Sequence, residues 1–218
     1  MEVEPSLYAA DFMRLGEQID ALLGAGTRVF HYDVGDGHFV EPIILGPIVL
    51  ESIGDRIHDG RGLVDVHLMV ESPERYFRAF RDAGADSVTF HYEAVDDVAA
   101  VVAAAREHGL GVGVALKPNT GVEEVVQSAI AADVDLVLCM SIEPGYSGQK
   151  FMPEAFERLR RLRELLPDEI RLQVDGGVND HNVGAAHGAG ADLLVAATAV
   201  FGGGDPAAAY AALVTAAG

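Results

Sequence analysis

The chain has 218 residues and a formal net charge of −19, from 15 Lys and Arg against 34 Asp and Glu. That balance argues against nucleic acid or an anionic membrane as a partner, because both call for a basic surface. It leaves small molecules or other proteins, and it requires any anionic ligand to be held by local donors against the overall field.

In chain order, short apolar runs alternate with stretches of helical periodicity. The first run, Val3 to Leu7, follows an acidic start without the basic-then-apolar pattern of a secretory signal, so a cytoplasmic protein is expected. A helical pattern from Asp11 to Ala25 ends at Gly26 and leads into a second run, Arg28 to Val34. The next connection is less regular, with at best a short helix from Gly46 to Ile53. Regular alternation then resumes with a strand at Leu63 to Met69, a helix at Pro73 to Ala83, a strand at Ser87 to His91 and a helix at Val95 to His108. Gly111 to Leu116, Gly121 to Ala131, Val134 to Met140 and Pro153 to Leu166 repeat the pattern. Ile170 to Val174, Asn179 to Gly188, Leu193 to Ala196 and Pro206 to Ala217 complete it. Cys139, the single cysteine, lies within the sixth strand and reads as a small core residue; it permits no intrachain disulfide.

Eight strands alternating with helices predict a parallel sheet, and their number favours a closed barrel over an open doubly wound sheet. No Gly-x-Gly-x-x-Gly follows the first strand, which weakens a nucleotide-binding open sheet. Ala-Gly-Ala-Asp occurs at two helix-to-strand joints, residues 83–86 and 189–192, as a repeated βα unit would have it. No Pro/Ser-rich linker or composition shift divides the chain. The expected fold is therefore α/β, a (β/α)8 TIM barrel, with residues 1–218 as one domain.

Polar residues that are out of place in apolar strands fall at the strand ends, where a barrel gathers its chemistry. Ser6 ends the first strand, His31 and Asp33 the second, His67 the third, and Asp175 the seventh. Residues two apart on a strand share a side, so His31 and Asp33 project together. Two imidazoles and two carboxylates make a ligand set for one divalent ion such as Zn²⁺, Fe²⁺, Co²⁺ or Mn²⁺; each residue taken singly reads as a hydrogen-bonded structural group. His91 ends the fourth strand and could line the same cavity, but without a companion. Glycine loops follow the late strands: Pro144-Gly145-Tyr146-Ser147-Gly148-Gln149, and Asp175-Gly176-Gly177. With Ala197-Thr198 after the eighth strand, their backbone N–H groups could hold a phosphate. Met69 and Met140 read as core, or as an apolar wall if the cavity is real.

Together these residues resemble the ribulose-phosphate 3-epimerase family. The resemblance runs from Pro5-Ser6-Leu7 with Ala10-Asp11-Phe12, through His31-x-Asp33-x-x-Asp36-Gly37-His38-Phe39-Val40 and Asp65-Val66-His67-Leu68-Met69-Val70. It continues through Glu143-Pro144-Gly145 to Val174-Asp175-Gly176-Gly177-Val178. It implies an isomerase with a (β/α)8 barrel in which His31, Asp33, His67 and Asp175 bind one divalent metal and Asp33 and Asp175 form the acid/base pair. It further implies that Ser6, the Gly145 to Gly148 loop, Gly176, Gly177 and the Ala197-Thr198 corner contact a small phosphorylated sugar. The expected reaction interconverts D-ribulose 5-phosphate and D-xylulose 5-phosphate through an ene-diolate, and a homo-oligomer is expected.

Four departures from the family pattern lie on the substrate side. Gly35 stands where methionine is usual, which predicts a wider cavity. Glu41-Pro42-Ile43-Ile44-Leu45-Gly46 replaces Pro-Asn-Ile-Thr-Phe-Gly, Tyr146-Ser147-Gly148 replaces Phe-Gly-Gly, and Ala197-Thr198 replaces Gly-Ser. They keep open a 3-epimerase of another ketose phosphate, of four to six carbons, and a non-catalytic sugar-phosphate-binding barrel. A same-fold decarboxylase is disfavoured, because Lys117 and Lys150 are isolated and the Asp-x-Lys-x-x-Asp pattern is missing.

Overall fold

A computed structural model describes residues 1–218. In order, the elements are β1 (Glu2–Pro5), α1 (Leu15–Ala25), β2 (Val29–Asp36), β3 (Ile43–Ile44), α2 (Pro47–Asp59), β4 (Leu63–Met69) and α3 (Phe77–Ala83). They continue with β5 (Ser87–His91), α4 (Val98–Glu107), β6 (Gly111–Leu116), α5 (Val122–Ala131), β7 (Leu136–Met140) and α6 (Glu154–Leu165). The last are β8 (Arg171–Asp175), α7 (Val183–Gly188), β9 (Leu193–Ala196), α8 (Thr198–Phe201) and α9 (Pro206–Ala217). Neighbouring strands run β1-β9-β8-β7-β6-β5-β4-β2, all parallel, and a bridge between Ser6 and His31 joins the ends of β1 and β2. The result is the expected (β/α)8 barrel. Its antiparallel addition, β3, pairs Gly35 with Ile44 and Asp36 with Ile43 and was not foreseen.

Strand alternation splits the side chains into two environments. On β2 and β4, Phe30, Tyr32, Val34, Val64, Val66 and Leu68 face outward into one apolar cluster with helix residues such as Leu15, Ile19, Leu50 and Ile57. Burying one such side chain stabilises the fold by roughly 1.5–3 kcal/mol. This outer layer holds the barrel together, and Cys139 belongs to it. The inward positions on the same strands are His31, Asp33, Asp65 and His67, all buried. A polar interior costs stability unless its groups satisfy one another, whereas Ala115, Leu138 and Met140 on β6 and β7 form a separate small apolar cluster.

The Ala-Gly-Ala-Asp joints have a physical purpose. Asp86 Oδ2 accepts the Val64 N–H at 2.8 Å, and Asp192 Oδ2 accepts the Leu172 N–H at 2.9 Å. Asp135 does the same for Val112 at 2.7 Å. Each aspartate ties the start of its own strand to the start of the preceding one, which fixes register at the end of the barrel away from the site.

The irregular connection after β2 is more ordered than its sequence suggests. Helix α2 runs to Asp59, well past Ile53, because Leu50, Ile53, Gly54 and Ile57 keep one face buried. Gly54 does not stop the helix; a Cβ there would lie 2.8 Å from Ala83 O, so glycine permits the close approach of α2 to the end of α3. Asp97 and Asp205 cap α4 and α9 by accepting N–H groups of Ala100 and Ala208, both at 3.0 Å. No helix is long and apolar enough to cross a membrane.

Candidate active site

Parallel register brings the expected residues to one end of the barrel. Asp33 on β2 pairs in register with His67 on β4, and Asp175 ends β8 opposite Met140 on β7. Potential ligand atoms of His31, Asp33, His67 and Asp175 all lie within 4.8 Å of one another. His67 Nδ1 is 3.0 Å from Asp33 Oδ1 and 3.9 Å from Asp175 Oδ2, while His31 Nε2 is 3.3 Å from Asp33 Oδ1. Ser6 Oγ donates to Asp33 Oδ2 at 2.6 Å. Both histidines are fully buried, yet neither ring nitrogen of His31 has a hydrogen-bond partner. Nitrogens stranded beside carboxylates in this way fit a divalent ion of the kind that imidazole and carboxylate ligands hold.

The electrostatics separate the two carboxylates. Burial works to raise Asp33, but His31 and His67 beside it overcome burial and hold it well below the usual carboxylate range. Burial raises Asp175, and repulsion from Asp33 raises it further. The two neighbouring carboxylates are thus shifted in opposite directions. His31 is raised above the usual imidazole value although burial opposes it, with Asp33 the chief opposing influence.

Above these groups opens a cleft. Of the residues expected at the site, Ser6, Asp33, Met69, Met140, Gly145, Tyr146, Ser147, Gly148, Asp175, Gly176, Gly177, Ala197 and Thr198 line it. His31 and His67 lie beneath, fully buried. Gly176 and Gly177 adopt left-handed backbone, with φ of 114° and 63°. A Cβ on Gly177 would collide with the backbone of Gln149 to Phe151, so the β8 loop and the Gly148 loop approach each other only because a side chain is missing there.

Two expectations are corrected. Gly35 does not border or widen the cleft. A Cβ there would lie 2.8 Å from Pro42 O and 2.9 Å from Val40 Cγ2, because β3 and its lead-in fold back onto β2 and fill the space. His91 does have companions: its Nε2 lies 2.9 Å from His67 Nε2 and its Nδ1 3.2 Å from Glu93 Oε2. Burial lowers the His91 pKa to about 4, keeping the ring neutral.

Sequence reasoning missed Tyr8, Ile142, Val178 and Val195 on the cleft wall. It also missed the polar layer below His31, where Asp65 Oδ2 is 3.4 Å from His31 Nδ1. Gln173 Nε2 there donates to both Glu4 and Asp65. Burial, aided by repulsion from Asp65, pushes the Glu4 carboxyl up to about 8. The available signal was Glu4, Asp65 and Gln173 sitting two residues before Ser6, His67 and Asp175 on the same strand faces.

Residues 2–201 match the model of the "Ribulose-phosphate 3 epimerase family". The chain is 39% identical over 202 residues to the ribulose-phosphate 3-epimerase of Escherichia coli K12, covering 91% of this chain and 88% of that protein. It is 40% identical over 214 residues to that of Mycobacterium bovis, covering 97% and 90%. Among solved structures, a 3-hexulose-6-phosphate synthase superposes with a TM-score of 0.77 at 22% identity, covering all of both chains. Orotidine 5'-phosphate decarboxylase from Pyrococcus horikoshii gives 0.73 at 16% identity, covering 99% and 98%. These last two likenesses speak to the fold alone.

Proposed function

The chain belongs to the ribulose-phosphate 3-epimerase family and is an isomerase of the epimerase class, and on that footing we propose that it interconverts D-ribulose 5-phosphate and D-xylulose 5-phosphate. The observation that carries this reading is the pair Asp33 and Asp175. They reach one cleft from strands on different sides of the barrel and are held in opposite protonation tendencies. Epimerisation at C3 of a 2-ketose needs such a pair. The ionised Asp33 carboxylate takes the C3 proton, the C3–H electrons move into an ene-diolate, and the Asp175 carboxylic acid delivers a proton to C3 from the other face. In the reverse direction the two exchange roles.

His31, Asp33, His67 and Asp175 are the residues that would hold a divalent metal, and the unpartnered ring nitrogens of His31 support that assignment. When bound, a divalent ion supplies Lewis-acid stabilisation of the negative charge that develops on the C2 and C3 oxygens. Ser6 holds Asp33 in place through its short hydrogen bond, while Met69 and Met140 give the reacting carbons an apolar wall that excludes water. Backbone N–H groups of the Gly145 to Gly148 loop, Gly176, Gly177 and the Ala197-Thr198 corner surround the place for the phosphate, supplying local donors where the chain's net charge would repel it.

Asp175→Asn keeps the shape and removes the proton. It is expected to lower kcat by at least about 10³-fold, within the range by which positioned acid/base groups accelerate reactions, with an unchanged thermal unfolding midpoint. A coupled assay of xylulose 5-phosphate formation reads the rate; near-normal turnover would remove Asp175 from the reaction.

A further inference from the structure

We propose that Glu93 is a positioning residue that acts through His91 to fix the ring tautomer of His67, so that His67 presents a bare Nδ1 to Asp33 and Asp175. The proposal rests on the metal reading of that cluster and adds to it a group outside the four ligands. Glu93 sits in the turn after β5. Its Oε1 accepts the Lys117 backbone N–H at 2.8 Å and the Thr120 hydroxyl. Its Oε2 faces His91 Nδ1 at 3.2 Å. With two donors on one oxygen, Glu93 is an anchored carboxylate that can only accept at the other, so His91 must carry its proton on Nδ1.

The rest follows by elimination along the chain of contacts. A neutral imidazole has one N–H, which leaves His91 Nε2 as an acceptor. The group facing it at 2.9 Å is His67 Nε2, which must therefore donate. In the neutral form that a metal ligand requires, His67 Nδ1 is then a lone pair, 3.0 Å from Asp33 Oδ1. Two acceptors so close repel unless a positive charge lies against both, and a divalent ion would supply one. The reversed relay would put a proton on His67 Nδ1 and a bare His91 Nδ1 against the Glu93 carboxylate, a buried clash of acceptors. Ring rotation offers no escape, because His91 is fully buried and Phe39 packs on it with centroids 4.8 Å apart. Lys117 Nζ also lies over the Phe39 ring, 3.9 Å from its centroid.

Glu93→Gln is nearly isosteric and inverts the relay. The amide oxygen keeps the donors of Lys117 and Thr120, so the NH₂ turns to His91 Nδ1, and the proton is pushed onto His67 Nδ1, where it competes with the ion. Zinc affinity of metal-free protein, read by competition with a fluorescent chelator, is expected to fall about 10- to 100-fold, the usual effect of losing an outer partner of a metal-ligating histidine. In ¹⁵N-histidine spectra of zinc-loaded wild type, His91 is expected to be protonated at Nδ1 and bare at Nε2. Zinc affinity of Glu93→Gln within about twofold of wild type, or a wild-type His91 protonated at Nε2, would overturn the proposal. The spectrum alone decides if the variant does not fold. Wild type that takes up no zinc would sink the metal reading and this proposal together, whereas wild-type zinc uptake with an unaffected Glu93→Gln sinks the relay only.

Discussion

Several side chains of this site offset the cost of their buried polarity with a specific partner. Ser6 shows the scale of the effect. Its hydroxyl donates to the Asp33 carboxylate at 2.6 Å, and a hydrogen bond to a charged group contributes about 1.5–3 kcal/mol. Ser6→Ala is expected to lower kcat about 10- to 100-fold, since about 1.4 kcal/mol is one decade of rate, while leaving the unfolding midpoint nearly unchanged; an unaltered kcat would show that Asp33 needs no such support. His31, Asp33, His67 and Asp175 were legible as a cluster because a histidine or carboxylate in an apolar strand is costly unless satisfied. Glu93 and the His91 pairing were not legible. Their contacts depend on how β4 and β5 align and on a turn whose side chain reaches across to Lys117 and Thr120, and no residue type announces such a reach.

At the level of elements, the β/α alternation was readable because outward strand positions are apolar almost without exception. The Ala-Gly-Ala-Asp joints were readable as punctuation, though not as the register ties that they form. The stretch between β2 and α2 was misjudged, since its order comes from contacts made after the chain turns back. Asp36 Oδ1 accepts the N–H groups of His38 and Phe39, both at 2.8 Å, and its Oδ2 accepts that of Glu71 at 2.8 Å. Tyr32 Oη donates to Gly46 O at 2.8 Å. These bonds press Pro42 and Val40 against Gly35, so the missing side chain makes room for backbone and leaves the cleft no wider. Gly35→Ala is therefore expected to destabilise by about 1–3 kcal/mol, as overpacking does, lowering the unfolding midpoint by roughly 2–4 °C per kcal/mol at this chain length. Calorimetry reads the shift; an unmoved midpoint would contradict the tight packing of β3 on β2.

For the molecule as a whole, closure of the ring places strand ends from distant parts of the sequence around one cleft, and this sets what the residues do together. Asp33 and Asp175 are far apart in sequence, and one barrel end makes them a pair with a rim of glycine loops beside them. The central claim is that a proton leaves C3 to one carboxylate and another returns from the second. It is tested most directly by turning over D-ribulose 5-phosphate in D₂O and examining the D-xylulose 5-phosphate formed by NMR. The account predicts one solvent deuterium at C3 of the product, and product formed with C3 still carrying its original hydrogen would contradict it.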